Sequence, residues 1–430
     1  MKKLKFLFFP TILALAFGLM LSCAKSSEDN INDTVADTND AIDEGVANTN
    51  ENLEDTLEDN NDTAVDLENA LNGGGGSSNS SSCNNSKASI VGNAVTEKSC
   101  HPNCPKNKAV LWNLDKCMTV VGESYGVVDA TGHNGSIYIA DDGGFYWIVG
   151  AGNSIEKHQL NYSSGYKLSE VTGIDVNSNG DVYVAGMVQK NKKEYTAYWK
   201  NGELVKWFRY EKNDWYSEKN VAADSNGNVY IPGWWMKSHS STLSTYWKNG
   251  ILKKLTTSYD GEATDVDISG GKVYFSGNYG KLCNLFWHVD PCTGQNGTLA
   301  AYWKGGRLTK VTKVKTAGYK ISWLSRSRAS SIHVEGSKVY MAGEVEGTFP
   351  VYWKNKIQHN LPVEYNFDDC DYCRAEPIDI SVLDGKVLVV GYYNHVGGGY
   401  RGAVYWLDKK LHKLCEDCDS SDAVAVVVMD

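Results

Sequence analysis

Flat aromatic rings with arginine among them are the side chains of this chain best suited to holding a ligand, and they come in clusters. Trp215 and Tyr216 stand together, then Trp234 and Trp235, then Phe286, Trp287 and His288. Tyr319 and Trp323 accompany Arg326 and Arg328, and Tyr365, Phe367 and Tyr372 follow. Tyr392, Tyr393, His395, Tyr400 and Arg401 complete the set. Such rings stack on sugars or anchor a protein loop. We take Trp215, Trp234, Trp235, Trp287, Trp323, Tyr392, Tyr393, Tyr400 and Arg401 as the candidate ligand-binding residues. Any single ring could instead close the base of its loop as a small core. The whole cluster favours a binding face.

An acid also recurs through the chain, as Asp129, Asp175, Asp267 and Asp379, with His333 at the matching place and Ala222 and Ala425 without one. Such carboxylates could ring a channel and hold a cation, or act as acid and base. A residue repeated this regularly more often serves the repeat, because a buried carboxylate needs a hydrogen-bonding partner. Asp175, Asn177, Asn179 and Asp181 imitate the start of a calcium loop, but Gly186 stands where the twelfth-position glutamate belongs. No Ser-His-Asp order, phosphate loop, dinucleotide fingerprint or metal-binding His pair is visible. No cofactor and no metal are therefore expected, no catalytic residue is identified, and the reading leans away from an enzyme.

The elements that must position these residues repeat. Tyr198-Trp199-Lys200-Asn201-Gly202 returns as Tyr246 to Gly250, Tyr302 to Gly306, Tyr352 to Asn355 and Tyr405-Trp406. Looser copies at Trp147 and Trp112 bring the aligned tryptophans to seven. A second motif precedes each, as in Val182-Tyr183-Val184-Ala185-Gly186 and Val339-Tyr340-Met341-Ala342-Gly343. Asp141 replaces the glycine in one copy, and Pro232 interrupts another. Each repeat reads as four short strands with hairpin turns at Asn179-Gly180 and Asn201-Gly202, since Asn-Gly favours positive φ at both central places. Period-2 alternation puts Trp199 on one face, and one four-stranded sheet cannot bury that face alone. Radial stacking of sheets buries it, which predicts an all-β propeller.

The ends set the number of blades. Residues 88–92, 109–113 and 119–121 match the second, third and fourth strands of a repeat with no first strand before them. Residues 423–429 match a first strand. The C-terminus should thus complete the N-terminal blade, closing a seven-bladed ring over 87–430. The long aromatic loops, after the second and fourth strands, then emerge on one face.

Charge and export signals complete the reading. Residues 26–72 hold 15 acids and no Lys or Arg, while 73–430 hold 38 basic and 37 acidic residues, so a nucleic-acid surface is not indicated. Met1 to Lys5 is basic and Phe6 to Leu21 apolar, a secretion signal over 1–22. Met20-Leu21-Ser22-Cys23 resembles the lipobox of bacterial lipoproteins. That resemblance implies a lipid on Cys23, a membrane partner and outer-membrane localisation, periplasmic or surface-facing. Residues 23–72 repeat every eleven residues from Ile31, an acidic stalk, helical or extended. Residues 73–86 form a Gly/Ser/Asn linker. The globular part resembles β-propeller lipoproteins of Gram-negative bacteria with tandem YWKNG repeats, and its NGxVYVAG half is similar to NHL-like repeats. That resemblance implies fold and leaves activity open.

There are 11 cysteines. Setting Cys23 aside leaves ten in an exported chain, so disulfides are expected. Proximity pairs Cys100 with Cys104, Cys283 with Cys292, Cys370 with Cys373 and Cys415 with Cys418. Cys83 and Cys117 remain, both placed at the opposite face of the shared blade. A four-thiolate zinc site from the two Cys-x-x-Cys pairs is the rival. The expected function is a lipid-anchored envelope protein whose loop face binds a glycan or an envelope protein. The alternatives are a glycan lyase or hydrolase using His288, His395, Arg401, a loop tyrosine or channel carboxylates, and an envelope scaffold.

Overall fold

The computed structural model describes residues 87–95, 107–209, 215–218, 220–236, 242–256, 260–280, 298–311, 327–345, 349–363, 374–394, 401–415, 418 and 420–429. The expectations for 1–86 lie outside them. The described residues form a seven-bladed β-propeller of antiparallel sheets. The inner strands of blades 1, 2, 4, 5 and 6 are Val127–His133, Lys167–Val176, Asp260–Ser269, Ser327–Glu335 and Arg374–Leu383. In blade 3 the inner position is divided between Trp215–Glu218 and Ala222–Ala223, both paired with Val229–Met236. Trp215, expected in a loop, is thus in a strand. Blade 7 is composite: C-terminal Ser420–Val428 is innermost, followed by Ala88–Val95, Asn107–Trp112 and Met118–Ser124. Its junction is a full ladder, with Ile90 opposite Val426 and Ser89 opposite Val427. The ring closes as the sequence ends predicted.

The repeated motif holds each blade together through several separate interactions. The seven aligned tryptophans of the repeats are all buried. Trp199 and Trp406 donate from Nε1 to the carbonyls of Asn161 and Pro362, at 2.7 and 2.8 Å, in the connection from the preceding blade. The following lysine lies over the tyrosine of the second strand, as Lys248 does over Tyr230. Asn201, Asn249 and Asn355 take positive φ, and each side-chain oxygen accepts the N–H of Val182, Val229 or Val339 where the second strand begins. Asn201-Gly202 forms the expected turn, with φ of 51° and 84°. Asn179-Gly180 does not: Asn179 lacks positive φ, and Asn177 Oδ1 accepts the N–H groups of Asn179 and Asp181, closing a longer loop.

The repeat glycine has a steric cause. Inner strands bulge opposite it, as between Pro377 and Asp379, so a Cβ on Gly391 would meet the Glu376 carbonyl oxygen at 2.0 Å. Gly343 faces Arg328 in the same way. In blade 1 Asp141 stands in that place, and its replacement matters more than the motif suggested. Its buried carboxylate accepts the Ser124 hydroxyl and the N–H groups of Tyr125 and Gly143, ordering the crossover from blade 7 into blade 1.

Candidate functional site

Two regions converge enough polar groups to act on a ligand: the central channel and the loop face between blades 6 and 7. The innermost strand of each sheet has one unpaired edge, whose N–H groups need acceptors where water is limited. The recurring aspartates supply them across blade boundaries. Asp129 Oδ2 accepts Ile174 N–H at 2.9 Å, and Asp175 Oδ2 accepts Ala223 N–H at 2.7 Å. Asp267 Oδ2 accepts Val334 N–H at 2.6 Å, and Asp379 Oδ2 accepts Val426 N–H at 2.8 Å. The role is structural, and it ties blade 6 to the closing strand.

Register separates these acids into two tiers, where the sequence comparison set them in one. Asp129 and Asp379 oppose Ala140 and Val390, while Asp175, Asp267 and His333 oppose Tyr183, Tyr274 and Tyr340, two residues earlier on the neighbouring strand. The first tier contains a fifth acid that the sequence reading missed. Asp265, opposite Ser276, accepts Ile332 N–H at 2.8 Å, Val266 N–H at 2.7 Å and the Asn220 amide at 2.5 Å. Its signal was present in the Asp-x-Asp of Asp265 and Asp267, but only the bulge after Ala263 decides which tier each joins.

Burial pushes Asp265 up to about 7, helped by Asp379, and Asp175 up to about 6, helped by Asp267. Burial also holds Asp129 well above the ordinary carboxylate range, with Asp379 and Asp265 adding to it. Asp379 and Asp267 are raised by burial as well, against their hydrogen bonds and the nearby His333. Both tiers line a cavity of about 410 Å³ that reaches the short turns at Asn177, Ser178, Asp224 and Ser225. The calcium-loop imitation is occupied by other work: Asn177 closes its own loop, Asn179 donates to Ser225 O, and Asp181 pairs with Lys200 at 2.8 Å. Among the described residues, no three His, Cys, Asp or Glu side chains are grouped to hold a metal ion.

On the loop face, the structure brings Tyr392 and Arg401 together. The guanidinium lies 4.5 Å from the Tyr392 ring centre, and the Tyr392 hydroxyl donates to Glu376 Oε2 at 2.7 Å. Arg401 Nη1 stands 3.7 Å from Asp422 Oδ2. Asn93 donates its amide to Asp422 Oδ1 at 2.9 Å and accepts Val127 N–H on blade 1 at 2.8 Å. Burial raises Asp422, opposed by Asn93 and Arg401. Arg401, Asp422, Asn93, Asn107 and Ser420 line a cavity of about 260 Å³. Asn93 and Asp422 had not been singled out, because they come from opposite ends of the chain.

The other described candidates serve different places. Trp234 and Trp235 are half-buried on blade 3, three blades away; Trp235 packs on that blade's core beneath Lys254. Tyr393 packs against Gly402 at a loop base. Arg328 pairs with Glu262 at 2.6 Å, joining blades 5 and 4. The Trp215 side chain, Trp287, Trp323 and Tyr400 lie outside the described residues. Cys415 and Cys418 form the expected disulfide, Cα atoms 5.5 Å apart. Cys117 is disulfide-bonded. Cys23, Cys83, Cys100, Cys104, Cys283, Cys292, Cys370 and Cys373 lie outside the described residues, and with them the other expected pairs.

Fold and site define a seven-bladed propeller with a carboxylate-stitched channel and a polar pocket beside its closing strand. No protein-family model matches the sequence, and no curated protein is similar to it. Among solved structures, the β-propeller domain of the Trilobed protease from Pyrococcus furiosus is 12% identical, covering 79% of this chain and 96% of that one, with a TM-score of 0.46. The Pyrococcus horikoshii acylaminoacyl peptidase is 12% identical over 76% of this chain, which spans only 50% of the peptidase, with a TM-score of 0.47. A polysaccharide lyase, PL25 ulvan lyase bound to -[GlcA(1-4)Rha3S]-, is 11% identical over 70% of this chain and 92% of its own, with a TM-score of 0.42. Propellers host unrelated activities, so none of these transfers with the fold.

Proposed function

We propose that the chain is a lipid-anchored protein of the outer membrane whose loop face binds a glycan. The observation that carries this reading is the pocket at Arg401, Asp422, Asn93 and Asn107. A sugar ring presents apolar C–H faces and hydroxyls that both donate and accept. The pocket answers the hydroxyls with a cation, a carboxylate and amides in about 260 Å³, and the Tyr392 ring lies outside it beneath the Arg401 guanidinium, which it holds in place. The channel carboxylates are engaged by backbone N–H groups, which speaks against their use as a catalytic pair. The anchor rests on Cys23 and the sequence around it.

A glycan array probed with the mature chain, with product masses checked, tests the binding. Arg401→Gln is expected to lower glycan affinity about tenfold, the worth of one charge-assisted contact. Undiminished binding by that variant would remove the pocket from the reading, and new product masses would replace binding with catalysis. Capture of one envelope protein with no glycan signal would favour a scaffold. Cys23→Ser should abolish metabolic acyl labelling and release the chain from membranes.

A further inference from the structure

A second surface stands apart from that pocket, on the rim of blade 2. Trp207, in the outermost strand Glu203–Phe208, keeps 46% of its surface exposed. The ring is braced from behind. Tyr195 meets it edge-on at 5.1 Å and 74°, Tyr166 lies 5.6 Å away, and the two tyrosines meet edge-to-face at 6.2 Å. Lys190 Nζ sits 4.3 Å over the Tyr166 ring, and the Arg209 guanidinium 5.8 Å over Tyr195.

The repeat does not require this arrangement. The place of Trp207, opposite the residue before the repeat tyrosine, holds Lys254 in blade 3, Lys310 in blade 4, Asn360 in blade 5 and Lys413 in blade 6. The place of Tyr195 holds Leu243, Leu299, Phe349 and Gly402 in those blades. A register shift between Tyr198 and Trp199 gives this outer strand an extra residue that those four blades lack. Blade 7 has a shift in the same strand pair, between Ala109 and Val110, but Val120 stands in the place of Trp207 there and Gln159 in blade 1, so the exposed, braced indole belongs to blade 2 alone and serves something other than the ring.

Charge indicates what that is. Lys190 and Arg209 lie at the rings, and Lys167, Lys192 and Lys193 are exposed on the same blade with Glu170, while Lys206 donates to the Asn249 carbonyl of blade 3 at 2.8 Å. The neighbouring acids Glu194 and Glu203 accept from Ser169 and Asn161, at 3.1 and 2.7 Å. In a globular part with balanced charge this is a local positive excess.

We propose that Trp207 is a stacking platform for an anionic saccharide, a chain of uronate or sulfated sugar units, with Lys190 and Arg209 meeting its negative groups. One apolar ring face lies against the indole, and the cations around it choose a charged chain over a neutral one. This site extends the glycan reading and does not depend on the Arg401 pocket.

The test titrates the full chain with an alginate hexamer, a heparin hexamer, cellohexaose and vesicles of anionic phospholipid, following tryptophan fluorescence and heat. At least one anionic hexamer should bind about tenfold more tightly than cellohexaose, and its affinity should fall with salt. Trp207→Ala should lower that affinity about tenfold while Trp207→Tyr retains most of it, and Lys190→Gln with Arg209→Gln should flatten the salt dependence. Lys310→Gln, at the matching place on blade 4 and outside both candidate sites, should leave this binding in place. Wild-type affinity in Trp207→Ala, or no binding of either anionic hexamer, overturns the proposal. Equal loss of vesicle binding with no hexamer selectivity would make the surface a membrane contact and overturn it too.

Discussion

The carboxylate tiers are expected to make the propeller more stable in mild acid than in mild base, the reverse of an ordinary surface aspartate. Asp265 is the clearest case, since only 5% of it is exposed and burial pushes it from 3.8 up to about 7. A carboxyl that holds its proton more tightly when folded contributes stability that is complete below its unfolded value, near 4. That contribution is lost as pH rises through about 7. From about pH 5 to about pH 8 the loss at this one site is ~2.5 kcal/mol. Unfolding entropy of ~2.1 cal/mol/K per residue over ~340 residues gives ~0.7 kcal/mol per degree, so the loss corresponds to ~4 °C in Tm. Asp129, Asp379, Asp267 and Asp422 are raised as well and add in the same direction. Asp265→Asn keeps an oxygen for Ile332 N–H but cannot ionise. It should cost about 1–2 kcal/mol near pH 5, through its poorer fit to Val266 and Asn220, and leave the variant about 0.5–1.5 kcal/mol more stable than the wild type near pH 8, where the wild type has lost ~2.5 kcal/mol. Thermal unfolding of both proteins at the two pH values is the assay. The pH-dependent difference in Tm should shrink by ~4 °C in the variant. An unchanged difference, or a wild type more stable near pH 8, would refute the reasoning.

Three further predictions concern the frame. Gly391→Ala sets a Cβ against the Glu376 carbonyl, so it should unfold the protein at visibly lower denaturant, by ~2–3 kcal/mol or more, with an unchanged m-value. Asn249→Ala loses the acceptor for Val229 N–H and the side chain suited to φ of 52°, a cost of ~1–2 kcal/mol in the same titration. Cys415→Ser with Cys418→Ser opens a short loop leading into the closing strand; ~2 kcal/mol is expected, read as a lower Tm in the absence of reductant.

Much of this fold could be read directly from the chain. Tyr-Trp-Lys-Asn-Gly carries a buried ring, a cation for the neighbouring tyrosine and a turn residue, each fixed within one blade by local geometry. Truncated repeats at the two ends implied closure, because a missing inner strand at one end and a spare one at the other can satisfy each other only across the ring. The site was less legible. Tyr392 and Arg401 were recognisable as residue types, yet the sequence could not say that Trp234 and Trp235 belong to a different part of the rim. It also placed Asp267 beside Asp379 in one ring, because a bulge shifts alignment by one residue without leaving a mark in the letters.

The sequence by itself therefore determined what depends on nearest neighbours in a repeat: strand periodicity, turn chemistry, the buried tryptophan and the number of blades. Only the tertiary structure decided which tier each carboxylate occupies, that Asn93 and Asp422 meet across the closing strand, and that Trp207 is braced by Tyr166 and Tyr195 yet faces solvent. Those contacts join residues that are distant in sequence or depend on bulges. Their geometry is set by how seven twisted sheets close on one another, and no local pattern encodes it.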